Sequence, residues 1–229
     1  MLMYGGIGLY RNSGKITGVH QKIDRIARRQ LNKYIPKSIK FPSISDILHF
    51  EGNNGPDAIR IKDPTKDVPR YLITPTNPKD REVLDALHNY IVNLSEALKS
   101  HNNERSAFEA AWMAHAIGDS LSPAHYNPMG STLKHVMFEV GMVLFVIPAK
   151  FRTSSLDDND IDRLKRDGFE ILFLESLRKI HATKMYHEFG KKGWTWHLAS
   201  ETKKMLIPEI AKVVALAWYQ AIVIANKPS

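Results

Sequence analysis

In the stretch AWMAHAIGDSLSPAHYNP, residues 111–128, His115 and Asp119 stand four residues apart among small apolar neighbours. On a helix that spacing projects both side chains from one face, within reach of a single cation. His125 follows just past Pro123, where a bent backbone can aim its ring into the same cleft. His135 and Glu139 then repeat the four-residue spacing on the next segment. A lone H-x3-D pair is most simply packing or surface chemistry. Two such pairs on apolar helices, bracketing a third His, are hard to explain that way, because buried ionisable groups are costly unless paired or metal-bound. The chain has no cysteine, which excludes a thiolate site. The ligand types left are His, Asp and Glu, a set that suits zinc or another divalent ion bound through nitrogen and oxygen.

Positioning these residues requires helices. From His20, HQKIDRIARRQLNKYI puts Ile23, Ile26, Ala27, Leu31 and Tyr34 on one stripe, ended by Pro36. Residues 36–78 carry seven prolines and the turn-rich EGNNGPD, and read as a long ordered loop with one helical turn near Ser45–His49. The helical pattern resumes over Lys79–Ser100, begins again near Glu104 and runs to Pro123. It then covers Ser131–Ile147 up to Pro148. Residues 154–186 read as one helix with a Ser cap, acidic residues first and basic residues towards its end, the order a helix dipole favours. A last helix takes Ser200–Ala225, with a bend expected at Pro208. No alternating strand pattern competes. The expected class is all-α, a multi-helix bundle of about five to seven helices. Residues 1–18 form a Gly-rich flexible arm and 19–229 a single domain, as the length of 229 residues favours.

The order H-x3-D-x5-H followed by H-x3-E resembles the zinc-dependent phospholipase C family, related to the single-strand-specific zinc nucleases. His115, Gly118, Asp119, Pro123, His125 and Asn127 stand in the family's order. Upstream, ITGVHQKIDRIARRQL is similar to the family's N-terminal helix, placing its His at His20. SDILHFEG is similar to the segment carrying the next ligand, at His49. The resemblance implies a zinc cluster at one end of an all-α bundle. His49, His115 and Asp119 would share one ion, His125, His135 and Glu139 a second, and His20 with a bridging Asp119 a third. Such a cluster polarises a phosphodiester and activates water to hydroxide. Two departures shape the expectation. The family completes its third site with the amine of an N-terminal Trp, and no Trp precedes Trp112 here. Two zinc ions are therefore expected, three only if His20 completes a weak third site; otherwise His20 is a donor to Asp119. The family's catalytic Asp has no counterpart in KYIPK. Asp46 or Asp57 could replace it, and Asp57 is favoured because EGNNGPD is a turn that can return a carboxylate to His49.

The net charge of +8 and isoelectric point near 9.5 suit an anionic partner: a phosphodiester, a nucleic acid or a membrane surface. Basic residues spread along the chain equally suit solvated helix faces. No secretory signal is recognised, so a cytoplasmic protein is expected. Val140–Ile147 and Val213–Ala225 fall short of the ~20 residues that span a bilayer and read as buried helices, leaving no transmembrane segment. His88, His101, His181, His187 and His197 lack chelating spacing. Trp194 and Trp196 read as packing under a loop, with a lipid-facing tip as the alternative. The resulting expectation is a metal-dependent phosphodiester hydrolase resembling phospholipase C, acting on phospholipid. A single-strand-specific nuclease is the rival within the same chemistry, and a non-catalytic metal-binding module the rival from another class.

Overall fold

The computed structural model describes residues 18–51, 81–126, 132–142 and 156–227, with 54–56, 59, 62, 63, 65 and 73 between them. The arm over residues 1–17, Asp57, most of the proline-rich stretch and most of Val140–Ile147 lie outside the described residues. Among the described residues all regular structure is helical.

The helices are α1 (Val19–Leu31), α2 (Ile44–Glu51), α3 (Arg81–Lys99), α4 (Asn103–Leu121), α5 (Pro123–Tyr126), α6 (Thr132–Gly141), α7 (Asp158–Asp167), α8 (Phe169–Ala182), α9 (Met185–Lys192), α10 (Trp196–Glu201) and α11 (Ile207–Ala225). A short π segment, Thr202–Leu206, joins α10 to α11. The bundle is built around α11, whose residues are buried on nearly every side because α1, α3, α4 and α8 pack around it. A helix apolar all round belongs in a core. Trp218 is fully buried there, and its indole Nε1 donates to the Ala110 carbonyl of α4 at 3.0 Å, fixing the register of the two helices.

The continuous helical run Trp196–Ala225 is long and apolar enough, by length and composition, to cross a membrane. Most of that surface is already buried against the other helices, as in a core helix. The bend expected at Pro208 is absorbed upstream. The Ile207 amide reaches back to the Thr202 carbonyl, and Pro208 falls in the first turn of α11, where its missing N–H costs little.

Helices α3 and α4 form a hairpin. His101, at φ 54°, reverses the chain, and the Asn102 side chain then accepts from the Arg105 amide at 3.0 Å to cap α4. Helix α4 is lined with Ala110, Ala111, Ala114 and Gly118, so α1, α2, α3 and α11 approach it closely. Residues 154–186 do not make one helix. Asp157, not a serine, caps α7 in a reciprocal box with Asp160, and Gly168 at φ 83° breaks the run before α8. The two tryptophans part company. Trp194 stacks on the buried Phe138 and donates to the Met137 carbonyl at 3.2 Å, whereas Trp196 is 90% exposed.

Candidate metal centre

Five helices bring the centre together. Helix α4 supplies His115 and Asp119, whose side chains are 1% and 6% exposed, with His115 Nε2 3.4 Å from Asp119 Oδ2. Helix α1 crosses α4 at Gly118, and a Cβ there would stand 2.7 Å from His20 Nδ1. Only glycine lets the His20 ring lie flat on α4, where it stacks on the His115 ring at 4.4 Å and 24°. His20 Nε2 then faces Asp119 Oδ1 at 3.4 Å. Helix α2 adds Glu51, whose Oε1 lies 3.1 Å from His115 Nδ1. At the end of α4, Ser122 turns the chain into Pro123, and the short α5 returns His125 towards the same carboxylate, its Nε2 3.6 Å from Asp119 Oδ1. From α6, Glu139 Oε1 meets His125 Nε2 at 3.4 Å.

Among the predicted residues, His20, His115, Asp119, His125 and Glu139 therefore share one centre. The side chain of His135 lies outside the described residues, as does Asp57. His49 is placed elsewhere. The face of α2 that turns inward carries Ile47 and Glu51, four residues apart and both buried. His49 sits two residues from each, about 200° around the helix. It is exposed, and its Nε2 pairs with Asn54 Nδ2 at 3.1 Å. The expected pairing of His49 with His115 and Asp119 is thus replaced by Glu51. Asp46, the alternative carboxylate, caps α2 instead: it accepts from the Ser43 amide at 3.2 Å and the Ser43 hydroxyl at 2.8 Å.

Two acids of the centre escaped the sequence reading. Asp24 is four residues after His20 on α1 and almost fully buried. The spacing that singled out His115 and Asp119 applies equally to His20 and Asp24. Glu51 carried no comparable signal.

The electrostatics are those of interlocked opposite charges. For His20, burial and the neighbouring His115 press the pKa down, yet the hydrogen bond to Asp119 and the charges of Glu51 and Asp119 prevail, raising it to about 9. For His115, burial is likewise outweighed by Asp119 and Glu51, and the ring is held well above its ordinary range. Burial opposes ionisation of Asp119, but the His125 and His115 charges and the hydrogen bonds from His115 and His20 keep it well below the usual carboxylate range. Asp24 goes the other way, pushed well up by burial and then by the negative charge of Glu51.

These residues fit a divalent cation. One donor atom from each of His20, Glu51 and His115 lies within 4.8 Å of the others. His115 and Glu51 stand at hydrogen-bond distance, 3.1 Å, but the four separations that involve Asp119 or Glu139, at 3.4, 3.4, 3.6 and 3.4 Å, are long for charge-assisted hydrogen bonds. They match the roughly 3.3–3.6 Å between neighbouring ligands of a tetrahedral zinc bound at ~2.0–2.2 Å. Glu51 Oε2 is also buried with no hydrogen-bond partner among the described residues. A cation supplies what that oxygen lacks. With a carboxylate at each nitrogen of His115, an ion held on one side leaves an acid to orient the ring from the other.

Fold and site together define an all-α bundle with a buried His–carboxylate centre where α1 and α2 meet the α4 helix. Two solved structures share this fold. One is the alpha-toxin from Clostridium absonum, with a TM-score of 0.66 and 14% identity over 92% of this chain. The other is the Clostridium perfringens alpha-toxin isolated from avian strain SWCP, with a TM-score of 0.64, 14% identity and the same coverage. The chain spans 65% and 64% of those two proteins. No family model matches the sequence, and no curated protein is similar to it.

Proposed function

We propose that this protein is a zinc-dependent phosphodiester hydrolase that cleaves phospholipid in the manner of a phospholipase C. The observation that carries the reading is the convergence of His20, Glu51 and His115, joined through Asp119 to His125 and Glu139, on one largely buried centre. The likeness in fold to the alpha-toxins and the His115–Glu139 motif support it independently. His20, Glu51 and His115 would hold one ion, and Asp119, His125 and Glu139 with His135 a second. A divalent ion there would supply Lewis acidity towards the phosphoryl oxygens and lower the pKa of water.

The chain's own residues set the direction of approach. Burial falls from His115 and Asp119, at 1% and 6%, to His125 and Glu139, at 16% and 19%. With His20 at 18% exposed, substrate reaches the centre along the rim formed by His20, His125 and Glu139, while α2 covers His115 through the buried Glu51. Glu51 and Asp119 fix the His115 ring, and Gly118 lets His20 lie flat on α4. The net charge of +8 draws a phosphodiester towards the protein.

The test is metal analysis of the purified protein, followed by hydrolysis of bis(p-nitrophenyl) phosphate, phosphatidylcholine vesicles and a single-stranded oligonucleotide. Zinc-dependent release of diacylglycerol is the expected result. Hydrolysis of the oligonucleotide alone would make the protein a nuclease. Bound zinc with no hydrolysis of any substrate would make it a metal-binding module, which the placement of His49 outside the centre favours.

A further inference from the structure

Asp24, like Glu51, has no counterpart in the H-x3-D and H-x3-E motif. It lies on α1 four residues after His20, so the two side chains leave the same helix face. That face packs on α2 and α4, the helices that carry Glu51, His115 and Asp119. Asp24 is only 1% exposed, and its Oδ2 is buried with no hydrogen-bond partner among the described residues. Glu51 Oε2 shares that condition. Asp24 feels the charges of Glu51, His20 and His115, and two neighbouring carboxylates with bare buried oxygens are costly in a protein interior unless they are protonated or a cation joins them. Packing alone does not account for an Asp here, because its neighbours Ile23, Ile26 and Ala27 show that α1 fills the core with apolar groups.

We propose that Asp24 is a metal ligand, supplying the fourth protein donor to the ion held by His20, Glu51 and His115. The assignment rests on the metal-binding reading above and adds to it a carboxylate-rich first site. Helix α1 then contributes a chelating His–Asp pair, as α4 does with His115 and Asp119. The two negative ligands, Asp24 and Glu51, balance the charge of one divalent ion, so the site favours a hard-to-borderline cation such as zinc.

The experiment is calorimetric titration of zinc into metal-free full-length protein, carried out for the wild type, Asp24→Asn, Asp24→Glu and Glu109→Gln. Glu109 is the control: it is 2% exposed and also has a bare buried oxygen, but it pairs with Arg105. Asp24→Asn keeps the shape and removes the charge. It is expected to weaken the first zinc equivalent at least 10-fold. Asp24→Glu, which keeps the carboxylate, is expected to recover part of the affinity, and Glu109→Gln to match the wild type. Wild-type affinity in Asp24→Asn would overturn the assignment and leave the metal-binding reading standing. Wild-type protein that takes up no zinc would overturn both. If Asp24→Asn fails to fold, the comparison of Asp24→Glu with Glu109→Gln decides: equal losses in the two refute a ligand role.

Discussion

Replacing Gly118 by Ala separates the stability of the bundle from the geometry of its centre. The new Cβ would stand 2.7 Å from His20 Nδ1 and 2.8 Å from Cε1, where ordinary contact begins at 3.4 Å. The imidazole must therefore retreat by roughly 0.7 Å. It cannot do so freely, because its other neighbours are the His115 ring at 4.4 Å and Asp119 Oδ1 at 3.4 Å. Overpacking of this kind costs about 1–3 kcal/mol, and exchanging Gly for Ala inside a helix returns about 0.8–1.0 kcal/mol. The net loss of fold stability is then ~0–2 kcal/mol, a fall of at most about 8 °C in melting temperature for a chain of this size. Metal binding should fall by at least about 10–100-fold, the loss seen when only a partner that orients a ligand is removed, or roughly 1.4–2.7 kcal/mol. Thermal melting of the metal-free variant, paired with a zinc titration, reads the two effects apart. A Gly118→Ala protein that binds zinc as tightly as the wild type would refute the placement of His20 on the ion.

Three further outcomes follow from the same geometry. His115→Ala should abolish zinc binding and hydrolysis, whereas His181→Ala and His197→Ala, both on exposed helix positions, should leave both unchanged; metal analysis and a phosphodiesterase assay check the contrast. Metal-free protein should lose stability from about pH 7 to above pH 9. His20 is raised from 6.5 to about 9 and His115 is also raised, so their stabilisation is complete below 6.5 and disappears as the folded-state values are passed. Zinc-loaded protein, whose histidines are already deprotonated, should not follow that curve, and a melting temperature flat in pH without metal would contradict the ion pairs described here. Trp218→Ala should cost about 3–5 kcal/mol in a denaturant titration, because the indole is fully buried and its loss opens a cavity between α11 and α4.

The parts of the centre legible in the sequence are those set by helix geometry over one turn. His115 and Asp119 must share a face whatever surrounds them. The identity of the residue that α2 contributes could not be read that way. His49 stands in the family's order, but the rotation of α2 is fixed by where Ile47 is buried, and Glu51 rides on that face. Asp24 was hidden for a related reason. It sits beside the apolar stripe of α1, and its role depends on α4 passing close enough, at Gly118, for His20 to lie against it. The break at Gly168 is masked because α7 and α8 each run from acidic to basic residues, so the whole stretch still opens on acids and closes on bases like one helix. Position-by-position resemblance thus locates the centre, and tertiary rotation decides its members. The decisive check on that argument is a pair of variants on α2. Glu51→Gln removes the acid at His115 Nδ1 and should weaken zinc binding about 10-fold or more, while His49→Ala, on the opposite face, should leave it unchanged. The reverse pattern would mean that the motif, and not the burial of Ile47, sets which face of α2 meets the metal.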